Sequence, residues 1–180
     1  MKRIVLTLGA LALSTSVFAQ SPADLETALT PAPANLKDGA TVVKFKPDYT
    51  YDTLRKGTNT LVCFDRSGQP GQQPFAAECT SLANLPRVAQ NLKFEAETDR
   101  AKRTAALAAA EKDGSRIKPE YGSVWYHVMG MNKDNIRRHT TIAVPGATTQ
   151  STGLPDNGKQ GGVWIMDAGT STAHLMIPGF

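Results

Sequence analysis

Alternation of apolar and polar side chains is clearest near the C-terminal end of the chain. Residues 163–167 and 173–177 form two apolar runs around the polar turn Ala168-Gly169-Thr170-Ser171-Thr172, which is the pattern of a β-hairpin. A period of two puts Val163, Ile165, Leu175 and Ile177 on one face, with Trp164, Met166, His174 and Met176 on the other. The first set is hydrophobic filling. The second joins an indole, two thioethers and an imidazole, and there the pattern points to chemistry.

The same period recurs upstream. Residues 41–46, 50–55 and 60–64 read as three short strands, divided by Pro47-Asp48 and by Lys56-Gly57-Thr58-Asn59, and a β-meander is the economical arrangement. Residues 123–129 and 138–144 add two more strands on either side of the turn Asn132-Lys133-Asp134-Asn135. Between these groups the pattern turns helical. Asn84 or Leu85 can cap, Pro86 suits a first helical position, and strong helix formers run to about Lys112 before Gly114. Val88, Leu92 and Phe94 anchor only the first half, while residues 105–110 are nearly all alanine. The pairs Lys93 with Glu97 and Asp99 with Arg103 add about 0.2–0.5 kcal/mol each. Arg100, Lys102 and Arg103 follow Glu95, Glu97 and Asp99 closely, so this reads as a mixed, solvated face.

The expectation is an α+β fold over residues 37–180: an antiparallel sheet of six to seven strands with one long helix. Residues 20–36 carry three prolines and four alanines with little periodicity, and read as a flexible linker. Residues 145–162 form a long loop of Gly, Thr, Ser, Asn and Pro, of the length that usually serves function.

The N-terminus changes the picture of where the protein works. Lys2 and Arg3 precede an apolar run over residues 4–13, and Val17-Phe18-Ala19 offers small residues for cleavage after Ala19. Residues 1–19 are therefore expected to be an export signal of Gram-negative style, and the mature chain periplasmic or secreted. Gln20 follows the cut where a lipoprotein would need Cys. No later run has the length of a membrane span. The full chain carries a formal charge of +4, and removing the signal's two basic residues leaves +2. With no Lys/Arg block interleaved with aromatics, nucleic acid is not an expected partner. Cys63 and Cys79 are the two cysteines, and in an oxidising compartment they are expected to form a disulfide, contributing about 3 kcal/mol. A reactive or metal-binding thiol pair would call for CxxC spacing or a histidine close by.

Three histidines carry the candidate chemistry. In residues 124–129 the aliphatic parity takes Val124, Tyr126 and Val128, which leaves Trp125, His127 and Met129 opposite. In residues 138–144 it takes Ile142 and Val144, which leaves His139, Thr141 and Ala143. If these strands neighbour the final hairpin, His127, His139 and His174 share one sheet face. Joined by Met129, Met166 or Met176, they would form a soft nitrogen and sulfur set for copper or zinc, although their spacing matches no ligand motif. The plain alternative is a face packed under the helix, with satisfied imidazoles and gap-filling methionines. A small metal-dependent or hydrolytic enzyme is a second class, with His139 or His174 as general base and Asp167 or Asp156 orienting it. No GxSxG, HExxH or SxxK motif and no phosphate-cradling loop supports it. A third class is a small-molecule binding or accessory module, in which the long loop covers a pocket lined by Trp125, Trp164 and Tyr126 or Tyr121.

The chain also resembles a group of small exported bacterial proteins of unknown function. The likeness rests on Lys37-Asp38-Gly39-Ala40-Thr41-Val42 and on Leu54-Arg55-Lys56-Gly57-Thr58-Asn59 before the first cysteine. It extends to the closing segments Gly161-Gly162-Val163-Trp164-Ile165-Met166 and Ala173-His174-Leu175-Met176-Ile177-Pro178. It covers about two-thirds of the mature chain and implies export and a shared scaffold, with no activity attached.

Overall fold

The computed structural model describes residues 22–178, so the export signal expected over residues 1–19 lies outside the described residues. Eight strands form one sheet: β1 Thr41–Phe45, β2 Tyr51–Arg55, β3 Leu61–Asp65, β4 Phe75–Ser81, β5 Val124–Asn132, β6 Asn135–Ala143, β7 Trp164–Met166 and β8 His174–Ile177. Their order is β2-β1-β3-β4-β5-β6-β8-β7. Every neighbouring pair is antiparallel except β1 and β3, which run parallel. The α+β class and the mostly antiparallel sheet agree with the sequence reading, with eight strands where six or seven were expected.

Three expectations are corrected. The first three strands are not a meander, because β3 crosses back and lies parallel to β1 on the side away from β2. That crossing needs Gly57. A Cβ there would lie 2.2 Å from the carbonyl oxygen of Gly39 and 2.5 Å from the amide of Thr41, so only glycine lets the strands approach. Gly39 O accepts from the amides of Thr58 and Asn59, and Arg55 donates to the carbonyls of Lys37 and Ala40. The segments around Gly39 and Gly57 that carry the resemblance are thus one packed knot.

The second correction concerns residues 20–36, whose described part is docked. Helix α1, Pro22–Ala28, and helix α2, Ala34–Lys37, cover one face of the sheet. Ala28 and Leu29 lie three and four residues after Leu25, and this apolar stripe packs on Val42, Leu61, Cys63 and Cys79. The prolines bound the helices without loosening them: Pro22 opens α1, and Pro33 precedes α2. Arg138 on β6 donates to Thr30 O at 2.8 Å and ties the same segment to the sheet.

Third, the long helix is two. Helix α3, Leu85–Glu95, and helix α4, Arg100–Asp113, are separated at Asp99, whose side chain accepts from the amides of Ala101 and Lys102 and so starts a new helix. The Asp99 carboxylate is therefore a cap, and Arg103 donates to Glu97 O. The halves differ in burial as their composition requires. In α3, Leu85, Val88 and Leu92 are buried against Val43, Val62, Phe64 and Trp125 on the second face of the sheet, each contributing about 1.5–3 kcal/mol. In α4 only Ala110 is buried, and Gly114 ends the helix with a left-handed φ of 76°.

Cys63 and Cys79 form a disulfide between directly opposed positions of β3 and β4. It sits at the centre of the cluster beneath α1 and is fully buried. Replacing both cysteines with alanine is expected to lower the unfolding free energy by about 2–5 kcal/mol, read by urea denaturation. Thiol titration of the native protein is expected to find no free thiol, and one thiol per cysteine contradicts the pairing.

Candidate functional site

The face of the sheet under α3 is only partly covered. Beside Trp125, between α3 and the strands, lies a cavity of about 340 Å³. Its floor is set by register. Glu78 on β4 faces His127 on β5, which faces His139 on β6. One pleat further, Trp125, Thr141 and Met176 stand in a second row, and one pleat beyond that Ala143, His174 and Met166 form a third. All three imidazoles border the cavity, as side-chain parity requires.

They do not converge as a metal centre. The rings of His127 and His139 stack with centroids 4.4 Å apart and planes at 9°, so their in-plane lone pairs run side by side rather than toward a shared point. His174 lies opposite Ala143, four residues along β6 from His139, a step of about 13 Å. Its Nδ1 donates to Thr172 O at 2.8 Å. Among the described residues no three His, Cys, Asp or Glu side chains are spaced to hold an ion. Met166 and Met176 line the cavity, whereas Met129 lies outside it.

The site includes groups that sequence alone did not single out. Arg66, after β3, is 2% exposed and donates from Nη1 to Glu78 at 2.8 Å and from Nη2 to Glu95 on α3. Burial opposes the charge on Glu78, but Arg66 and His127 outweigh it and hold the carboxyl at about 2. Burial raises Glu95, against the pull of Arg66. His127 Nδ1 is 3.6 Å from Glu78 Oε1, and its Nε2 is 3.4 Å from Thr141 Oγ1. With the proton on Nδ1, facing the carboxylate, Nε2 accepts from the Thr141 hydroxyl.

Helix α3 lends the cavity Arg87, Asn91 and Glu95, spaced four residues apart on one stripe. That spacing was readable in the sequence beside the Val88 and Leu92 stripe. Glu78, flanked by small residues in an unrecognised strand, and Thr141, one hydroxyl among many, gave no comparable signal.

Other expectations fall away. Asp167, at φ 52° in the hairpin turn, and Asp156, whose carboxylate accepts from Asn157, orient no histidine. Trp164 packs against Gly158, Tyr126 lies on the opposite face beside the disulfide, and Tyr121 is 72% exposed, so Trp125 is the one expected aromatic that lines the cavity. The loop over residues 145–162 contributes no lining residue. Among the described residues no helix is long and apolar enough to cross a membrane. No family model matches the chain, no curated protein matches it, and no solved structure matches it.

Burial drives the His139 pKa down to about 4 from 6.5, with the His127 and His174 imidazoles adding to the effect and Glu78 opposing it. The folded state thus prefers neutral His139. Its contribution to stability is full above about pH 6.5 and is lost as the pH falls toward 4, because the unfolded chain takes up the proton first. Proton NMR titration of the His139 ring is expected to show a midpoint near 4, and a midpoint near 6.5 contradicts the burial account.

Proposed function

We propose that this chain is an exported binding or accessory module that holds a small organic molecule in the cavity beside α3 and performs no chemistry on it. On this reading residues 1–19 direct it to the periplasm, and it belongs with the small exported proteins that its Gly39, Gly57 and closing-hairpin motifs resemble. The observation that carries the reading is the cavity itself. Its volume of about 340 Å³ falls in the range of small-molecule sites. Its lining joins an indole, two thioethers and a proline to a larger set of polar and charged groups, among them Glu78, Arg87, Asn91 and Glu95, that can orient a guest. The stacked rings of His127 and His139 favour an organic guest over copper or zinc.

A second reading has one observation behind it. Glu78, His127 and Thr141 stand in the sequence of carboxylate, imidazole and hydroxyl that hydrolytic enzymes use to activate a nucleophile. In that reading His127 is the base, and Glu78 takes the orienting role expected of Asp156 or Asp167.

The test is melting and tryptophan emission against a mixed library of neutral, cationic and anionic small molecules. The expected result is a saturable rise in Tm with quenching that disappears in Trp125→Phe and survives in Trp164→Phe. Absence of any saturating compound, or stoichiometric copper or zinc lost in His139→Ala, overturns the reading. Ester turnover that vanishes in both His127→Ala and Thr141→Val favours the enzyme.

A further inference from the structure

The two guanidinium groups that border the cavity are compensated in opposite ways. Arg66 faces two carboxylates, those of Glu78 and Glu95. Arg87 is almost as deeply buried, at 3% exposure, yet no carboxylate of the described residues lies within 4.0 Å of it. Its partners are neutral oxygens. Nη1 donates to Ile117 O and to Ser171 Oγ at 3.3 Å, and Nη2 donates to Thr172 Oγ1 at 2.7 Å. Glu111 accepts from the amide and hydroxyl of Ser171, and its charge reaches Arg87 and Arg116 only from beyond contact distance.

A buried cation with no carboxylate in contact is costly, and although Glu111 and Asp167 act on Arg87 from beyond contact distance, a second cation, Arg116, sits beside it. Arg116 is 7% exposed and donates to Gln90 and Asn91, again to neutral acceptors. Asn91 also lines the cavity, so this end carries two guanidinium groups and no ion pair among the described residues. A guanidinium has five N–H groups. Three of those on Arg87 are used by the bonds above, which leaves the Nε hydrogen and one Nη2 hydrogen without a partner among the described residues. That edge is the fork that a carboxylate bridges with two parallel hydrogen bonds.

The other end of the cavity has the opposite character. Arg87 and Glu95 are eight residues apart on α3, about 12 Å along its axis. At the Glu95 end two carboxylates already share one guanidinium, so a second anionic group on a guest would be repelled there. The lining also includes Trp125, Met166 and Met176, whose thioethers can adapt to an apolar body.

Resting on the binding-module reading, we infer that the cavity is built for a small organic monocarboxylate, its carboxylate on the free edge of Arg87 and its apolar body against Trp125, Met166 and Met176. A dicarboxylate would meet Glu78 and Glu95, and the matching amide would leave the buried guanidinium of Arg87 with no carboxylate in contact.

Calorimetric titration of the intact chain with phenylacetate, phenylacetamide and adipate tests this. Phenylacetate is expected to saturate, with the amide and the dicarboxylate each about tenfold or more weaker. Arg87→Lys keeps the charge and loses the fork, and is expected to weaken phenylacetate about tenfold while the amide is unchanged. Equal binding of acid and amide, or tighter binding of adipate, overturns the inference and leaves the binding module standing. So does saturation by a neutral or cationic compound from the library when no member of this series saturates. If neither this series nor the library gives any saturating compound, both readings fall.

Discussion

Arg66 is the constraint on which the site depends. Its guanidinium is buried between a strand and a helix that are distant in sequence, with Glu78 of β4 on one side and Glu95 of α3 on the other. Removing three charges from water is expensive, and what offsets it is geometry good enough to satisfy all of them at once. The chain around Arg66 is held to match. Its Nε donates to Gln69 at 2.6 Å, its amide donates to Ala76 O, and Ser67 bonds with the same residue. The arrangement fixes the distance between α3 and the sheet where apolar packing gives way to the cavity. It also keeps Glu78 ionised beside His127.

From that point the two faces of the sheet follow different rules. The face under α1 and α2 is closed by small and aliphatic residues around the disulfide and buries little that is polar. On the opposite face α3 seals only the part over β1, β3 and Trp125. The rest is floored by the pleat rows of β5, β6 and β8, where alternation brings imidazoles and thioethers to one side whatever their distance in sequence. Neutral His139 suits such a place. An imidazole half withdrawn from water and stacked on another gives up its proton readily, so the floor keeps its hydrogen-bond acceptors over the ordinary pH range.

Period-two alternation was enough to place His127, His139 and His174 on one face, because a strand with one oily side leaves no choice for the other. It could not say how far apart they stand. That depends on register, which sets His174 against Ala143 instead of beside His139. The break at Asp99 has a weak signature because Ala96, Glu97, Arg100 and Ala101 are good helix formers, and only Thr98 and the cap mark the restart. Strand β4 was hidden by Ala76, Ala77 and Glu78, which resemble neither a β-branched run nor a turn, and it exists because β3 and β5 pair with it on both sides. The Arg66, Glu78 and Glu95 contacts link residues 12 and 29 positions apart and have no local signature. The parallel pairing of β1 with β3 has none either, although Gly57 marks the place where the strands meet.

The most direct test of this account is the urea unfolding free energy of Arg66→Met against the unaltered chain. Methionine keeps much of the side-chain volume and leaves the Glu78 and Glu95 carboxylates facing each other with no cation. A loss of about 3–5 kcal/mol is predicted, as for a buried ion pair deprived of one partner. A loss below about 1 kcal/mol, the value of an exposed pair, would contradict it.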